Sequence, residues 1–201
     1  MSDSLRRRHG LEFFLRSLDQ TDTDRVGVHA HILDGVAHIN LRGHGEDVEF
    51  LNGVEKTLGQ PLPLAPNTVS NGEHHVYWLG PDEWLIVSTA NDASVIVASL
   101  QDALIKQHVS INDISGGQVT LRLQGTDVRE TLSKGCTIDL HVDAFRPGEC
   151  AQSGLAKAGA LIGCFDGPNT LELIVRRSFA DYLARWLQHA ARDSGIEFRQ
   201  I

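Results

Sequence analysis

Cysteine is scarce in this sequence. Cys136, Cys150 and Cys164 stand fourteen residues apart. That spacing makes neither a C-x-x-C motif nor an even disulfide set, and it fits reduced thiols in a cytoplasm. Long apolar runs are missing, and nothing approaches the roughly 20 residues of a membrane span. A secretory signal is not expected, because the apolar LEFFL near the N-terminus is interrupted by Glu12 and followed by Arg16 and Asp19. Positive charge is in deficit. The formal net charge is −8, which argues against broad nucleic-acid binding. Arg6-Arg7-Arg8 is too short to alter that balance. No P-loop, H-E-x-x-H or G-x-S-x-G signature occurs.

What is present is an ordinary globular composition. The 201 residues are 41% hydrophobic and 22% charged, which suits one large domain or two small ones. An internal repeat organises them. LRGHGEDV, starting at Leu41, matches LRLQGTDV, starting at Leu121, at five of eight positions. GPDEWLIV from Gly80 is echoed by GPNTLELIV from Gly167. Two matches in the same order and at nearly the same offset indicate a duplicated unit.

The elements follow the repeat. In the first unit a strand ending at Leu41 leads to a helix carrying Val48, Leu51 and Leu58, with Gly59 at its end. HHVYWLG and EWLIVS read as strands. ASVIVASLQDALIKQ reads as a helix, and VSINDIS as a strand. In the second unit QVTLRLQG is a strand, and Thr126 or Asp127 caps a short helix with Val128 and Leu132. CAQSGLAKAGALIGCF is extended, and LELIVRR is a strand. Ser178 and Asp181 resemble a capping box. They open a helix with Phe179, Tyr182, Leu183, Trp186, Leu187, Ala190 and Ala191 on its apolar face, and IEFRQI closes as a strand.

Each unit thus reads β-α-β-β-α-β, the ferredoxin-like order. The expectation is an α+β fold of two tandem ferredoxin-like halves, about residues 25–115 and 116–201, packed as one domain over 25–201. Residues 1–24 form an N-terminal arm with a helical stripe of Leu11, Phe14, Leu15 and Leu18. A helix that short is marginal alone and should dock on its own domain or on another protein.

Candidate chemistry is sparse. VHAHILDGVAHI, Val28 to Ile39, reads as a hairpin around Asp34-Gly35, because a type I′ turn favours Asp-Gly. Pairing His31 with His38 and His29 with Asn40 places three imidazoles on one face, with Val28, Ala30, Ile32, Ala37, Ile39 and Leu41 on the other. His29, His31 and His38 could hold zinc with a water in the fourth position. The preferred expectation is that they form the wet or partner-facing side of a hairpin, where His38→Ala would change stability by less than about 0.5 kcal/mol. RGHGEDV has a G-x-G before a helix, but Glu46 and Asp47 occupy the helix start where a phosphate would sit. His74 and His75 point to opposite faces of a strand. Asp82 and Glu83 lie in a turn, where acid–base work competes with simple solvation. A Cys–His dyad is possible in any chain with three cysteines and ten histidines. Trp78, Trp84 and Trp186 read as core or interface residues.

Four blocks carry a family resemblance. PLPLAPNTVSNGEHHVYWLGPDEWLIV (Pro61–Val87), DISGGQVTLRLQG, KGCTIDLHVDAFRPGECAQSGLAKAGALI and VRRSFADYLARWLQHAA resemble the gamma subunits of heterotetrameric sarcosine oxidases. The likeness covers roughly residues 36 to 192, and the arm and the histidine segment lie outside it. The resemblance implies a fold similar to the folate-binding domain of aminomethyltransferases. It implies a complex that oxidises sarcosine to glycine, passes the one-carbon unit to tetrahydrofolate or releases it as formaldehyde, and reduces oxygen to hydrogen peroxide. FAD, FMN, NAD and the folate site would lie on alpha and beta subunits and zinc on a delta subunit. This chain would have no catalytic or cofactor-binding residue of its own. The competing expectation is a stand-alone folate-binding or aminomethyl-transfer protein.

Overall fold

The strands on either side of Asp34-Gly35 part company. In the computed structural model, which describes residues 10–16, 26–89 and 92–201, β1 (Val28–Leu33) and β2 (Ala37–Arg42) join different sheets. The expected His31–His38 hairpin is therefore corrected. Asp34-Gly35 is still a tight turn, with Gly35 at φ 66°, but it carries the chain across from one sheet to the other. Alternation along both strands is as expected. Its apolar sides face two separate cores instead of one.

The remaining elements build two related layers. In the first half β2 is followed by α2 (Val48–Leu58), β3 (Val69–Asn71), β4 (His75–Gly80), β5 (Glu83–Ser88), α3 (Ala93–Ala103) and β6 (Ser110–Asp113). In the second half β7 (Gln118–Gln124) is followed by α4 (Val128–Ser133), β8 (Cys150–Leu155), β9 (Ala158–Cys164), β10 (Thr170–Arg176), α5 (Ala180–Ala190) and β11 (Ile196–Gln200). The first sheet has the order β3-β4-β5-β2-β6, and the second β8-β9-β10-β7-β1-β11. Each contains the four-stranded ferredoxin-like antiparallel arrangement, extended at the edge by β3 in the first sheet and by β8 and β11 in the second. In the second sheet β1 lies antiparallel to β7 and parallel to β11. β6 takes the matching place beside β2. The first half thus lends its leading strand, β1, to the second sheet, while β6 stays in the sheet of its own half. The amide of Ile114 donates to the His38 carbonyl (2.9 Å) and the amide of His38 to Ser115 Oγ (2.9 Å), which ties the β1–β2 and β6–β7 crossings together.

Three apolar clusters fill the spaces. One lies between the second sheet and α4, α5 and α1 (Glu12–Arg16), with Leu121, Leu173, Leu183 and Leu187 fully buried. A second lies between the first sheet and α2 and α3, around Trp84, Ile86 and Leu100. The third lies between the two sheets, around Tyr77, Val87, Phe165 and Ile174. Helices cover the outer faces and the sheets face each other. Of the N-terminal stripe, Leu11 and Phe14 are buried, and Phe14 meets Phe198 edge-on at 4.8 Å. Leu18 and Arg6-Arg7-Arg8 lie outside the described residues. Among those residues no helix is long and apolar enough to cross a membrane.

Capping differs between the halves. Asp47 accepts from the amides of Glu49 (2.8 Å) and Phe50 (3.2 Å) and fills the start of α2, so that end does not await a phosphate. Asp127 precedes α4 but makes no capping bond. The capping box at Ser178 is also absent. Residues Arg177–Phe179 form a 3₁₀ turn, and α5 begins at Ala180 with no side-chain cap.

Candidate functional site

The space between the sheets holds a buried polar cluster. Glu172 sits mid-strand in β10 on the face that looks toward the first sheet, and none of it is exposed. Its cross-strand partner is Arg122 of β7, whose Nη2 donates to Glu172 Oε2 at 3.1 Å. From the opposite sheet two side chains of β4, two residues apart and therefore on one face, reach Oε1. The Tyr77 hydroxyl donates at 2.7 Å and His75 Nδ1 lies at 3.2 Å. Gly163 on β9 makes room for this. A Cβ there would stand 2.7 Å from Tyr77 Cε1, so a side chain would push the ring out of reach. Phe165 stacks on His75, with centroids 4.1 Å apart.

Electrostatics close the cluster on itself. Burial alone would push the Glu172 carboxyl up, but the bonds from His75 and Tyr77 and the Arg122 charge outweigh it and hold it below the usual range. Burial and the adjacent carboxylate push the Tyr77 hydroxyl well above 10. Glu172 thus stays ionised and Tyr77 stays protonated near neutral pH. Both carboxylate oxygens are occupied by groups of this chain, so the cluster staples the sheets together and is poorly set up to trade protons with a substrate.

A second polar link lies nearby. His38 Nε2 meets Thr120 Oγ1 at 2.7 Å across the sheets. His38 is 2% exposed, which corrects the expectation of a wet face. Burial pushes its pKa down to about 4, against the opposing pull of Glu172, the Val36 carbonyl and Asp113.

The three candidate zinc ligands are thereby separated. His29 and His31 share a face of β1, where His29 Nδ1 lies 3.2 Å from Glu197 Oε2. His31 is lowered by burial and by the positive neighbours His29, Arg199 and Arg122. His38 is in the other sheet. Among the described residues no group of three or more His, Cys, Asp or Glu side chains is placed to hold a metal. The His75 imidazole meets Glu172, whereas His74 is held to Gln60 through its backbone amide. Asp82 and Glu83 are both met by Arg42, at 3.4 and 3.5 Å. Cys150 Sγ donates to the Thr68 carbonyl, with its pKa raised by burial to about 12. Cys164 lies 3.4 Å from Arg129 Nη2, and Cys136 lies 4.0 Å from Ser153 Oγ. Among the described residues no cysteine is hydrogen-bonded to a histidine. Trp84 is fully buried, while Trp78 and Trp186 are half-buried.

Glu172 and Arg122 were not singled out from the sequence. Their signal was present: a lone acid inside the apolar TLELIV and a lone base inside VTLRL. Each is the one charged residue in the interior of its strand.

Known proteins resemble this chain at several levels. The gamma subunit of sarcosine oxidase from Corynebacterium sp. strain U-96 is 31% identical over 131 residues, which is 64% of this chain and 62% of that subunit. The chain therefore spans about six tenths of that relative's length. In structure it is similar to a chain of the heterotetrameric sarcosine oxidase from Corynebacterium sp. U-96, solved in complex with pyrrole 2-carboxylate. The TM-score is 0.82 at 23% identity, covering 92% of this chain and 95% of that one. The glycine cleavage system aminomethyltransferase T from Bartonella henselae also shares the fold, with a TM-score of 0.61 at 17% identity, covering 87% of this chain and 48% of that one. The description of one family spans most of the chain, from the end of β2 to just past α5. Over residues 42–193 this chain belongs to the sarcosine oxidase, gamma subunit family.

Proposed function

We propose that this chain is a non-catalytic structural subunit of a heterotetrameric sarcosine oxidase, the complex that demethylates sarcosine to glycine. The observation that carries this reading is the family match over residues 42–193, which takes in most strands of both sheets and the cluster between them. Its partners are alpha, beta and delta subunits. FAD, FMN, NAD, tetrahydrofolate and zinc reside on those subunits, and the assembly works in the cytoplasm, in keeping with three free thiols. The chain's own contribution is shape. The Glu172 cluster supports this, because its donors all come from within the chain and it fixes the relation of the two sheets. A stand-alone folate-binding protein is less well supported. A pterin needs a carboxylate with free acceptor positions, and the buried carboxylate here has both oxygens engaged by His75, Tyr77 and Arg122.

The test is co-expression of the tagged chain with the other subunits of the complex. The expected result is stoichiometric recovery of a four-subunit assembly whose flavin absorbance travels with the tag. Recovery of the tagged chain alone, with the flavoproteins assembling and turning over sarcosine normally without it, would reject the reading. Calorimetry with tetrahydrofolate on the isolated chain addresses the alternative, for which micromolar binding is required.

A further inference from the structure

The cleft at the far end of the inter-sheet space has features that the fold does not require. It encloses about 270 Å³ between the sheets. Leu79 and Leu85 form its roof, and Ile174 and Leu161, cross-strand partners on β10 and β9, form its floor. One row further along the floor, Arg176 pairs in register with Gln118. These residues alternate with core-facing neighbours, so both side chains point to the inter-sheet side. Among the described residues Arg176 has no ion pair and the Gln118 side-chain amide has no hydrogen bond. In a chain of net charge −8, an unmatched guanidinium at the mouth of an apolar cleft is a feature that calls for a partner.

Gly159 sharpens the point. It stands two residues before Leu161 on the same face and also lines the cleft. Glycine inside a strand weakens it unless a left-handed backbone or a close neighbour demands it. Gly163, on the same strand, meets that demand through Tyr77. Gly159 has no positive φ, and a Cβ there would meet nothing within 4 Å. Its partner across β8 and β9, Gly154, would likewise meet nothing closer than 3.9 Å. The side chain is missing where the fold has room for one, and the room belongs to the cleft.

We propose that this cleft binds a small organic carboxylate with a compact apolar body. The body lies over Gly159 between Leu85 and Ile174, and the carboxylate pairs with Arg176 and accepts from the Gln118 amide. Guanidinium–carboxylate pairing supplies direction, and apolar burial supplies most of the affinity. The proposal is independent of the subunit reading, since none of its residues belongs to the Glu172 cluster.

The experiment titrates benzoate, and separately its uncharged counterpart benzamide, into the full chain while backbone amide resonances are followed. Benzoate is expected to move the amides of Gln118, Gly159 and Arg176 saturably at millimolar concentration or below. Benzamide is expected to bind at least tenfold more weakly. Gly159→Leu, which fills the space, removes saturable binding without lowering Tm. Arg176→Gln, a substitution at an exposed strand end, removes the preference for benzoate. Shifts that fail to saturate, or that persist in Gly159→Leu, overturn the site. Equal affinity for the two probes overturns the carboxylate assignment. Burial of these amides by another subunit, seen as exchange protection in the purified complex with no response to benzoate, also overturns it.

Discussion

At the scale of single residues, Glu172 and His38 decide how the sheets hold together. Glu172 is a buried charge whose cost is offset only while its donors stay in place. Glu172→Gln keeps the shape but leaves Arg122 without its counter-charge and presents an N–H to one of three donors. The expected loss is roughly 3 kcal/mol, near the lower end for breaking a buried pair, read as a shift in the urea midpoint. A change below about 1 kcal/mol would mean that the cluster is solvated. His38 sets the response to acid. Its folded pKa, about 4, is depressed from 6.5, so between those values the unfolded chain binds a proton that the folded chain refuses. Stability therefore rises with pH across this window and is lost as pH falls from about 6.5 toward 4. Below 4.5 the depressed Glu172 carboxyl adds a loss of the same sign. His31 and His74 are also lowered, so the informative quantity is the difference between two curves. His38→Gln should flatten the unfolding free energy between pH 6.5 and 4 by roughly 2–3 kcal/mol relative to the native chain. Parallel curves would show that the imidazole is not buried in this way.

At the scale of elements, α5 was legible in the sequence and the histidine segment was not, for different physical reasons. The α5 pattern is strictly local. Leu183, Ala184, Leu187 and Ala190 recur at helical spacing and are all buried, whichever sheet lies beneath them. The periphery of its stripe was drawn too wide, because Phe179 and Tyr182 are 39% and 36% exposed. β1 and β2 were also read correctly as alternating strands around a tight turn. What no local pattern contains is the identity of a strand's neighbour, since Asp-Gly serves a crossing between sheets as well as a hairpin. The Glu172 site shares that difficulty, because it joins three segments that lie far apart in sequence and meet only once both sheets exist. Trp186 gives a check on the helix itself. It packs against the outer core and over Gly135, where any Cβ would collide with the indole. Because it is half-buried, Trp186→Ala should cost about 2–3 kcal/mol, less than the 3–5 typical of a fully enclosed tryptophan. An unchanged melting temperature would place the indole in solvent and the helix in a different rotation.

At the scale of the whole molecule, the loan of β1 to the second sheet makes the repeat hard to divide. The duplicated halves suggest a cut near residue 115, yet the second sheet is incomplete without β1. Removing β1 takes from β7 one of its two antiparallel neighbours and from β11 its sheet partner. It also takes Val28, Ala30 and Ile32, none more than 1% exposed, out of the outer core. Burial of a valine or isoleucine side chain contributes about 1.5–3 kcal/mol each, and the ladder bonds on both sides of β1 are lost as well. That sum is comparable to the whole stability of a typical domain, whereas the first sheet loses no strand to the same cut. Residues 116–201 expressed alone should therefore show no cooperative thermal transition. Co-expression with residues 26–115, which carry β1, should restore one. The intact chain should melt in a single step, because neither sheet can open without exposing the cluster they share. A fragment 116–201 that melted cooperatively within about 5 °C of the full chain would show that β11 can close directly onto β7, as β6 does onto β2, and that the borrowed strand is dispensable.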